Sequence, residues 1–331
     1  MNPSPSTIIK ICVFVLVGVL FGSSMIVYSN SRSHNQGHNL SDSEWRFDGD
    51  GGHSKHFEKS FTVNPGGTLT LNSDVGNVEV DTWDKNEVLV IADANGTENV
   101  LEKLDVTMSQ EKDNVKVTGI FDNNGWPGWH SQNIDVVFKV TVPKKYFVRT
   151  KSAGGNMAVR QLDGSATLET SGGNVDADHI NGAVDLRTSG GNVTAVSVNG
   201  SVQIETSGGE IRCTDIVGEL NSHTSGGDVE LTNVDGKIST ETSGGSIHIR
   251  MSGENKGVYA HSSGGDIRVS VKESIKAMLD ASTSGGRVKC ELPITVKGEM
   301  DESQLRGAIN GGGEVIRVET SGGDVKIVAV K

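Results

Sequence analysis

Cysteine is scarce: Cys12, Cys213 and Cys290 are the only three in 331 residues. Their number and scatter exclude a disulfide framework and a cysteine-based zinc site. Proline numbers 6, which excludes a Pro/Gly-rich disordered chain. Phe, Tyr and Trp number 8, 3 and 4, too few for a large aromatic core. Basic residues are outnumbered 30 to 42, giving a net charge of −12 with histidine neutral. A general nucleic-acid binder has the opposite balance, so nucleic acid is not an expected partner. Apolar residues make only 34% of the chain, while glycine reaches 43 residues, about twice ordinary usage. Length alone suggests about two domains.

One long apolar run stands out. Ile8–Tyr28 reads IIKICVFVLVGVLFGSSMIVY, 21 residues with a single charge at Lys10. About 20 apolar residues in a helix span a bilayer core. Lys10 lies at the N-terminal end, and Arg32, Asp42 and Glu44 follow the run. This bias predicts a cytoplasmic N-terminus with the rest of the chain outside. A cleaved signal peptide is the alternative. Its apolar stretch would be shorter and end in a small-x-small site, which Phe21-Gly22-Ser23-Ser24 fits poorly. Both readings export the chain. Residues 1–28 are expected to be a membrane anchor or signal helix. Residues 29–56, rich in Gly, Ser, His and Asn, are expected to be a flexible tether.

The rest is dominated by a repeat. Gly-Gly pairs begin at 154, 172, 190, 208, 226 and 244, in steps of 18; further pairs begin at 264, 285 and 322. Aligned copies show apolar columns: Val175, Val193, Ile211, Val229, Ile247; then Ala177, Ala195, Cys213, Leu231, Ile249; then Ile180, Val198, Ile216, Val234. A second set holds Val184, Val202, Leu220 and Ile238. Alternation with polar residues predicts strands buried on one face. Two turns separate them: Ser-Gly-Gly, and a corner at Gly182, Gly200, Gly218 or Gly236. The pairs Gly172-Gly173, Gly190-Gly191, Gly208-Gly209, Gly226-Gly227 and Gly244-Gly245 are read as structural turn glycines that permit positive φ.

Two architectures fit: a solenoid with two short strands per 18-residue coil, or an antiparallel meander. The column Lys151, Glu169, Arg187, Glu205, His223, Glu241, His261 alternates in sign. Such alternation is useful only between direct neighbours, as in a solenoid. A hexapeptide helix is excluded, because six residues after Leu186 comes Asn192. The inward parity of Thr170, Thr188, Thr206, Thr224 and Thr242 predicts a hydroxyl ladder that bonds to turn backbone, rather than an outward ice- or crystal-binding array. Cys213 and Cys290 share one inward column four coils apart in sequence order, roughly 19 Å at the strand spacing, too far for a disulfide.

The expected fold is therefore all-β: a single-chain β-solenoid over residues 151–331, preceded by an irregular β-rich part at 57–150. Leu101–Gln110 fits helix or strand. The irregular stretch Glu291–Val318 is expected near the C-terminal end, with Glu319–Lys331 adding the final coil.

The segments PGGTLTLNSDVGNVEVDTWDKNEV (65–88) and IDVVFKVTVPKKYFV (134–148), followed by the SGGNV/SGGDV series, resemble the bacterial putative-adhesin family, a domain of unknown function built from Ser-Gly-Gly repeats. The resemblance spans about residues 57–331. It implies an exported β-solenoid at the cell envelope and supplies no catalytic residues.

Candidate sites are few. Trp126, Trp129 and His130 sit in a turn-rich stretch, NNGWPGWH, whose indoles could stack on sugars or press on a partner. His34, His38, His53 and His56 lie near acids, but a mobile tether offers no fixed metal geometry. Asp228, Asp266 and Asp324 follow Gly-Gly pairs, yet the same column holds Asn174, Glu210, Ser246 and Arg287, which breaks a calcium row. A serine in nearly every turn is turn chemistry rather than one activated nucleophile. No catalytic residue, metal or cofactor is therefore assigned. The expected function is a non-enzymatic, envelope-exposed scaffold, held to the membrane through residues 8–28, that binds an envelope polymer or protein. The alternative is an envelope-stress sensor or regulator acting through a membrane partner.

Overall fold

The computed structural model describes residues 26–31, 52–122, 134–296 and 301–330. Those residues form two 14-stranded sheets whose inner faces share one apolar core. Through the repeat, each coil contributes one strand to each sheet, and every strand lies parallel to its counterpart in the next coil, 18 residues on until the step lengthens to 20 at Val258 and Ile267. Val175 pairs with Val193 and Ile180 with Val198, while Val184 pairs with Val202 and Leu186 with Ile204. The apolar columns point inward: Val193, Ile211, Leu231 and Ile247 are fully buried. The solenoid expectation holds and the antiparallel meander does not.

The third apolar column breaks period 2 for a local reason. His179, Ser197, Asp215 and Asn233 adopt left-handed backbone at φ between 54° and 57°. This bulge skips one position, so Ile180, Val198, Ile216 and Val234 return to the core.

The Ser-Gly-Gly turns close by backbone proximity rather than by the expected positive φ. A Cβ on Gly191 would lie 2.0 Å from the Gly173 carbonyl oxygen, and one on Gly209 would lie 1.9 Å from that of Gly191. On the first glycine the space is free: a Cβ on Gly190 meets nothing nearer than 3.7 Å. From Gly172 to Gly245 positive φ is found only at the other corner, at Gly182, Gly200 and Gly218, while the first Gly-Gly turn of the repeat has it at Gly155.

The threonine column forms the ladder expected of it. Thr188 Oγ1 donates to the Gly173 carbonyl (2.8 Å) and accepts from the Gly191 N–H (3.3 Å). Thr206 and Thr224 repeat this with Gly191 and Gly209. Each hydroxyl therefore stitches its own turn to the one below.

The ends depart from serial stacking. At the C-terminal end, the strands Val315–Thr320 and Val325–Val330 are not the last coil. They lie between the coil 258–272 and the coil 277–290. The coil 277–290 is outermost, and Gln304–Ile309 and Ile294–Val296 add antiparallel strands to its edge in one sheet. Cys213 and Cys290 are thus five strands apart, about 24 Å at the usual spacing, rather than four. Both are free thiols, and burial pushes the Cys213 thiol up to about 12.

At the N-terminal end the chain does something similar. Thr68–Ser73 and Asn77–Trp83 form a coil directly below 147–162. Asn114–Phe121 and Asp135–Pro143, later in sequence, form the coil outside it. Antiparallel strands then finish both edges: Glu87–Gly96 and His53–Thr62 in one sheet, Leu104–Glu111 in the other. A single turn of helix, Glu98–Leu101, precedes Leu104–Glu111, so the Leu101–Gln110 stretch is mostly strand.

Where the structure describes the apolar run, it is strand rather than the expected helix. Ile26–Tyr28, the end of the apolar run, lie in the strand Ile26–Ser31, which pairs antiparallel with His53–Thr62. A free sheet edge offers that segment backbone partners. Residues 8–25 lie outside the described residues. Among the described residues no helix is long and apolar enough to cross a membrane. The strand His53–Thr62 also begins four residues before the tether boundary set at 56/57.

Candidate ligand-binding cleft

Outward side chains are the accessible chemistry of such a stack. On the sheet that holds the threonine ladder, the alternating column forms ion pairs between stacked coils: Lys151 with Glu169 (2.6 Å), Arg187 with Glu205 (2.6 Å), His223 with Glu241 (3.8 Å). The parallel outward column two residues away is polar and mostly uncharged in mid-stack, running Gln203, Asn221, Ser239 and Tyr259 to Arg317.

A cleft of about 490 Å³ opens where this column meets Tyr259. The coil spacing from Gly244 to Gly264 is 20 rather than 18. The excess is accommodated at the corner 252–257, which forms one wall. Gly257 there has φ +103°. Asn255 fixes that corner: its Oδ1 accepts from the Gly257 N–H (3.1 Å) and its Nδ2 donates to the Glu314 carbonyl (2.6 Å). Lys256 is held by Asp235 at 2.7 Å. Arg317 reaches Asp280 at 3.2 Å and Glu319 at 3.8 Å. Lys237 also lines the cleft and has no ion pair among the described residues.

Partial burial raises the Tyr259 pKa, helped by Glu241 and Glu319 and opposed by Arg317. The phenol is therefore a neutral donor at ordinary pH. An aromatic face beside an amide, a hydroxyl and cations suits a polar ring such as a sugar. Sequence reasoning missed this site, although two signals were available: the 20-residue step, and the fact that Tyr259 is the only aromatic residue after Phe147.

Trp126, Trp129 and His130 lie outside the described residues. The described strands before and after them in sequence are Asn114–Phe121 and Asp135–Pro143. The glycines from Gly172 to Gly245 fall at the turns assigned to them. His56, expected in a tether, is in a strand and holds Asp93 at 2.6 Å and Glu58 at 3.4 Å. The Asp93 hydrogen bond raises its pKa, against a smaller opposing effect of burial. His34 and His38 lie outside the described residues. Asp228, Asp266 and Asp324 use their carboxylates on backbone, accepting from the N–H of Ser246, Asp324 and Arg287 in the next coil. Among the described residues no group of three or more metal-ligating side chains converges.

Two parallel sheets wound by an 18-residue repeat, closed at each end by antiparallel strands, define a β-solenoid repeat protein. The family model described as Toastrack DUF4097 matches residues 67–328, and the chain belongs to that family. Its span agrees with the resemblance read from the Ser-Gly-Gly series. Among solved structures, the chain is similar to a putative cell adhesion protein from Clostridium sporogenes at 13% identity, covering 82% of this chain and 99% of that one, with a TM-score of 0.22. It is similar to a putative adhesin from Bacteroides fragilis at 14% identity, covering 82% and 97%, with a TM-score of 0.31. A putative adhesin from Parabacteroides distasonis matches at 12% identity over 82% and 97%, with a TM-score of 0.39. No curated protein matches the chain.

Proposed function

We infer that the chain is a non-enzymatic scaffold, exported to the bacterial envelope and held there through the apolar run that begins at Ile8, that displays a rigid β-solenoid for binding. The observation that carries this reading is where the repeated polar groups are used. The ladder hydroxyls of Thr188, Thr206 and Thr224 donate to turn carbonyls, and the turn carboxylates of Asp228, Asp266 and Asp324 accept backbone N–H groups. The groups that could do chemistry in every coil are thus consumed in stiffening the rod. Recognition falls to the outward columns and to the Tyr259 cleft.

The test is photo-crosslinking in intact cells from positions 221, 239 and 259, with protease accessibility measured in parallel. Crosslinks to an envelope polymer or envelope protein, on a chain cleaved from outside, are expected. A chain protected from external protease, with crosslinks only to cytoplasmic proteins, overturns the reading.

A further inference from the structure

An outward column on the other sheet treats charge differently. In mid-stack it runs Ala158, Asp176, Thr194, Arg212 and Glu230, with one pair of opposite sign, Arg212 beside Glu230 at 3.3 Å. From the next coil onward no acid follows. His248 lies beside Arg268, Arg268 beside Lys326, and Lys326 beside Lys289. Four coils in register thus carry a histidine and three permanent cations, about 4.8 Å apart per step. Like charges directly opposite on neighbouring strands repel and cost stability. The chain keeps this arrangement in a protein whose net charge is −12.

The surroundings do not neutralise it. Arg250, Lys272 and Arg287 flank the row and are exposed, as are His248, Arg268 and Lys289. Among the described residues, Arg250, Arg268, Lys272, Arg287 and Lys289 make no side-chain ion pair. Of the nearest acids, Glu230 is held by Arg212, and the Asp266 carboxylate accepts the Asp324 backbone N–H. Among the described residues only Lys326 of the row has an acidic partner, Asp324 at 3.5 Å, and that carboxylate also accepts the Arg287 N–H. The back-inserted coil 315–330 completes the row by placing Lys326 between Arg268 and Lys289.

We propose that this row, His248–Arg268–Lys326–Lys289 with Arg250 and Arg287 beside it, is a docking strip for a linear anionic glycan that carries a carboxylate or phosphate on successive units. A straight, evenly spaced file of cations matches a regularly charged linear polymer. The strip has no Phe, Tyr or Trp, the side chains on which nucleic-acid bases stack best. None of the exposed large apolar residues, Ile120, Phe147, Val217, Met278 and Val315, lies on it, so it lacks what a membrane surface would take up. The proposal rests on the envelope-exposed reading for its partner, and on the column geometry alone for its site.

The full-length chain, purified in detergent, is titrated with polygalacturonate. Neutral dextran, a single-stranded oligonucleotide and phosphatidylglycerol vesicles are titrated in parallel. The double variant Arg268→Glu/Lys289→Glu is compared with Lys116→Glu/Arg149→Glu, which changes charge equally on the other sheet, at exposed positions away from the Tyr259 cleft. Expected are polygalacturonate binding that weakens with salt, a loss of about tenfold or more in the strip variant, and less than about a twofold change in the control variant. The strip variant should melt no lower than the parent, because Arg268→Glu and Lys289→Glu each remove a like-charge contact with Lys326. Equal loss in both variants, unchanged affinity in the strip variant, no binding by the parent, or tighter binding of oligonucleotide or vesicles would each overturn the proposal. None of these results bears on external exposure, which the crosslinking and protease experiment decides separately.

Discussion

The middle of the stack and its two ends solve the same problem by different means. From about residue 166 to 251 every coil rests on a near copy of itself. Equivalent residues meet, and one rule of spacing sets strand, turn, hydroxyl and charge together. At the ends there is no further copy to rest on. The chain instead places a coil out of sequence order and finishes the edges with antiparallel strands, Leu104–Glu111 and Glu87–Gly96 at one end and Gln304–Ile309 at the other. Repetition supplies stability cheaply in the middle, whereas closure requires unique sequence.

The sharpest test of that contrast is to end the chain at Gly312. Under serial stacking this would trim a terminal coil. Here it removes a coil lined by Ile316, Val318, Val325 and Ile327, each fully buried, from between two others. A loss of several kcal/mol is expected at about 1.5–3 kcal/mol per buried side chain, and hydrogen exchange should show protection lost across 258–296. Protection confined to normal values there would show that the ends, too, stack in sequence order.

The second test compares two adjacent glycines in mid-stack. Gly209→Ala places a methyl group 1.9 Å from the Gly191 carbonyl oxygen, while Gly208→Ala meets nothing nearer than 3.7 Å. The first should cost about 3 kcal/mol in denaturant unfolding, because the backbone of two coils must move. The second should stay within about 0.5 kcal/mol.

Thr224 offers a smaller effect. Thr224→Val keeps the shape but leaves the Gly209 carbonyl and the Gly227 N–H without the hydroxyl that bonds both. About 1–3 kcal/mol should be lost. Thr224→Ser should recover most of it, since Ser262 natively makes the same bond to Gly245 at 2.8 Å.

The smallest effect belongs to the N-terminal end. His56 has a raised pKa through Asp93. Its pairing energy is therefore complete below the unfolded value near 6.5 and disappears as pH rises through the higher folded value. His56→Ala should destabilise by a few tenths of a kcal/mol at pH 5 and by less at pH 9, because both partners are substantially exposed. A larger loss at pH 9 would contradict the ion pair.

The regular part was legible in the sequence because each of its columns is a physical constraint repeated in every coil. Val175, Val193 and Ile211 show burial, Thr188 shows the corner, and Lys151 beside Glu169 shows adjacency. The strand order at the C-terminal end was not read, because a repeat states what stacks but not in which order. The clue was present: Glu319 continues the alternation after His261, and Ser282 does not. The turn ladder carries the same clue, running from Asp266 to Asp324 to Arg287. The glycine rule was half read. Positive φ explains Gly182, but only contact between stacked backbones explains Gly191, and that distance exists only in three dimensions. The Tyr259 cleft depends on an excess of two residues, which looks like noise in a repeat until the wall it builds is seen.

Because both termini are closed by segments that sit outside the regular run, rod length is a free variable in evolution. Duplicating or deleting one 18-residue copy between residues 166 and 251 would leave every contact at either end intact and change reach by only about 4.8 Å. Ends and middle can thus diverge separately, with the length of the stack adjusted in small, uniform steps.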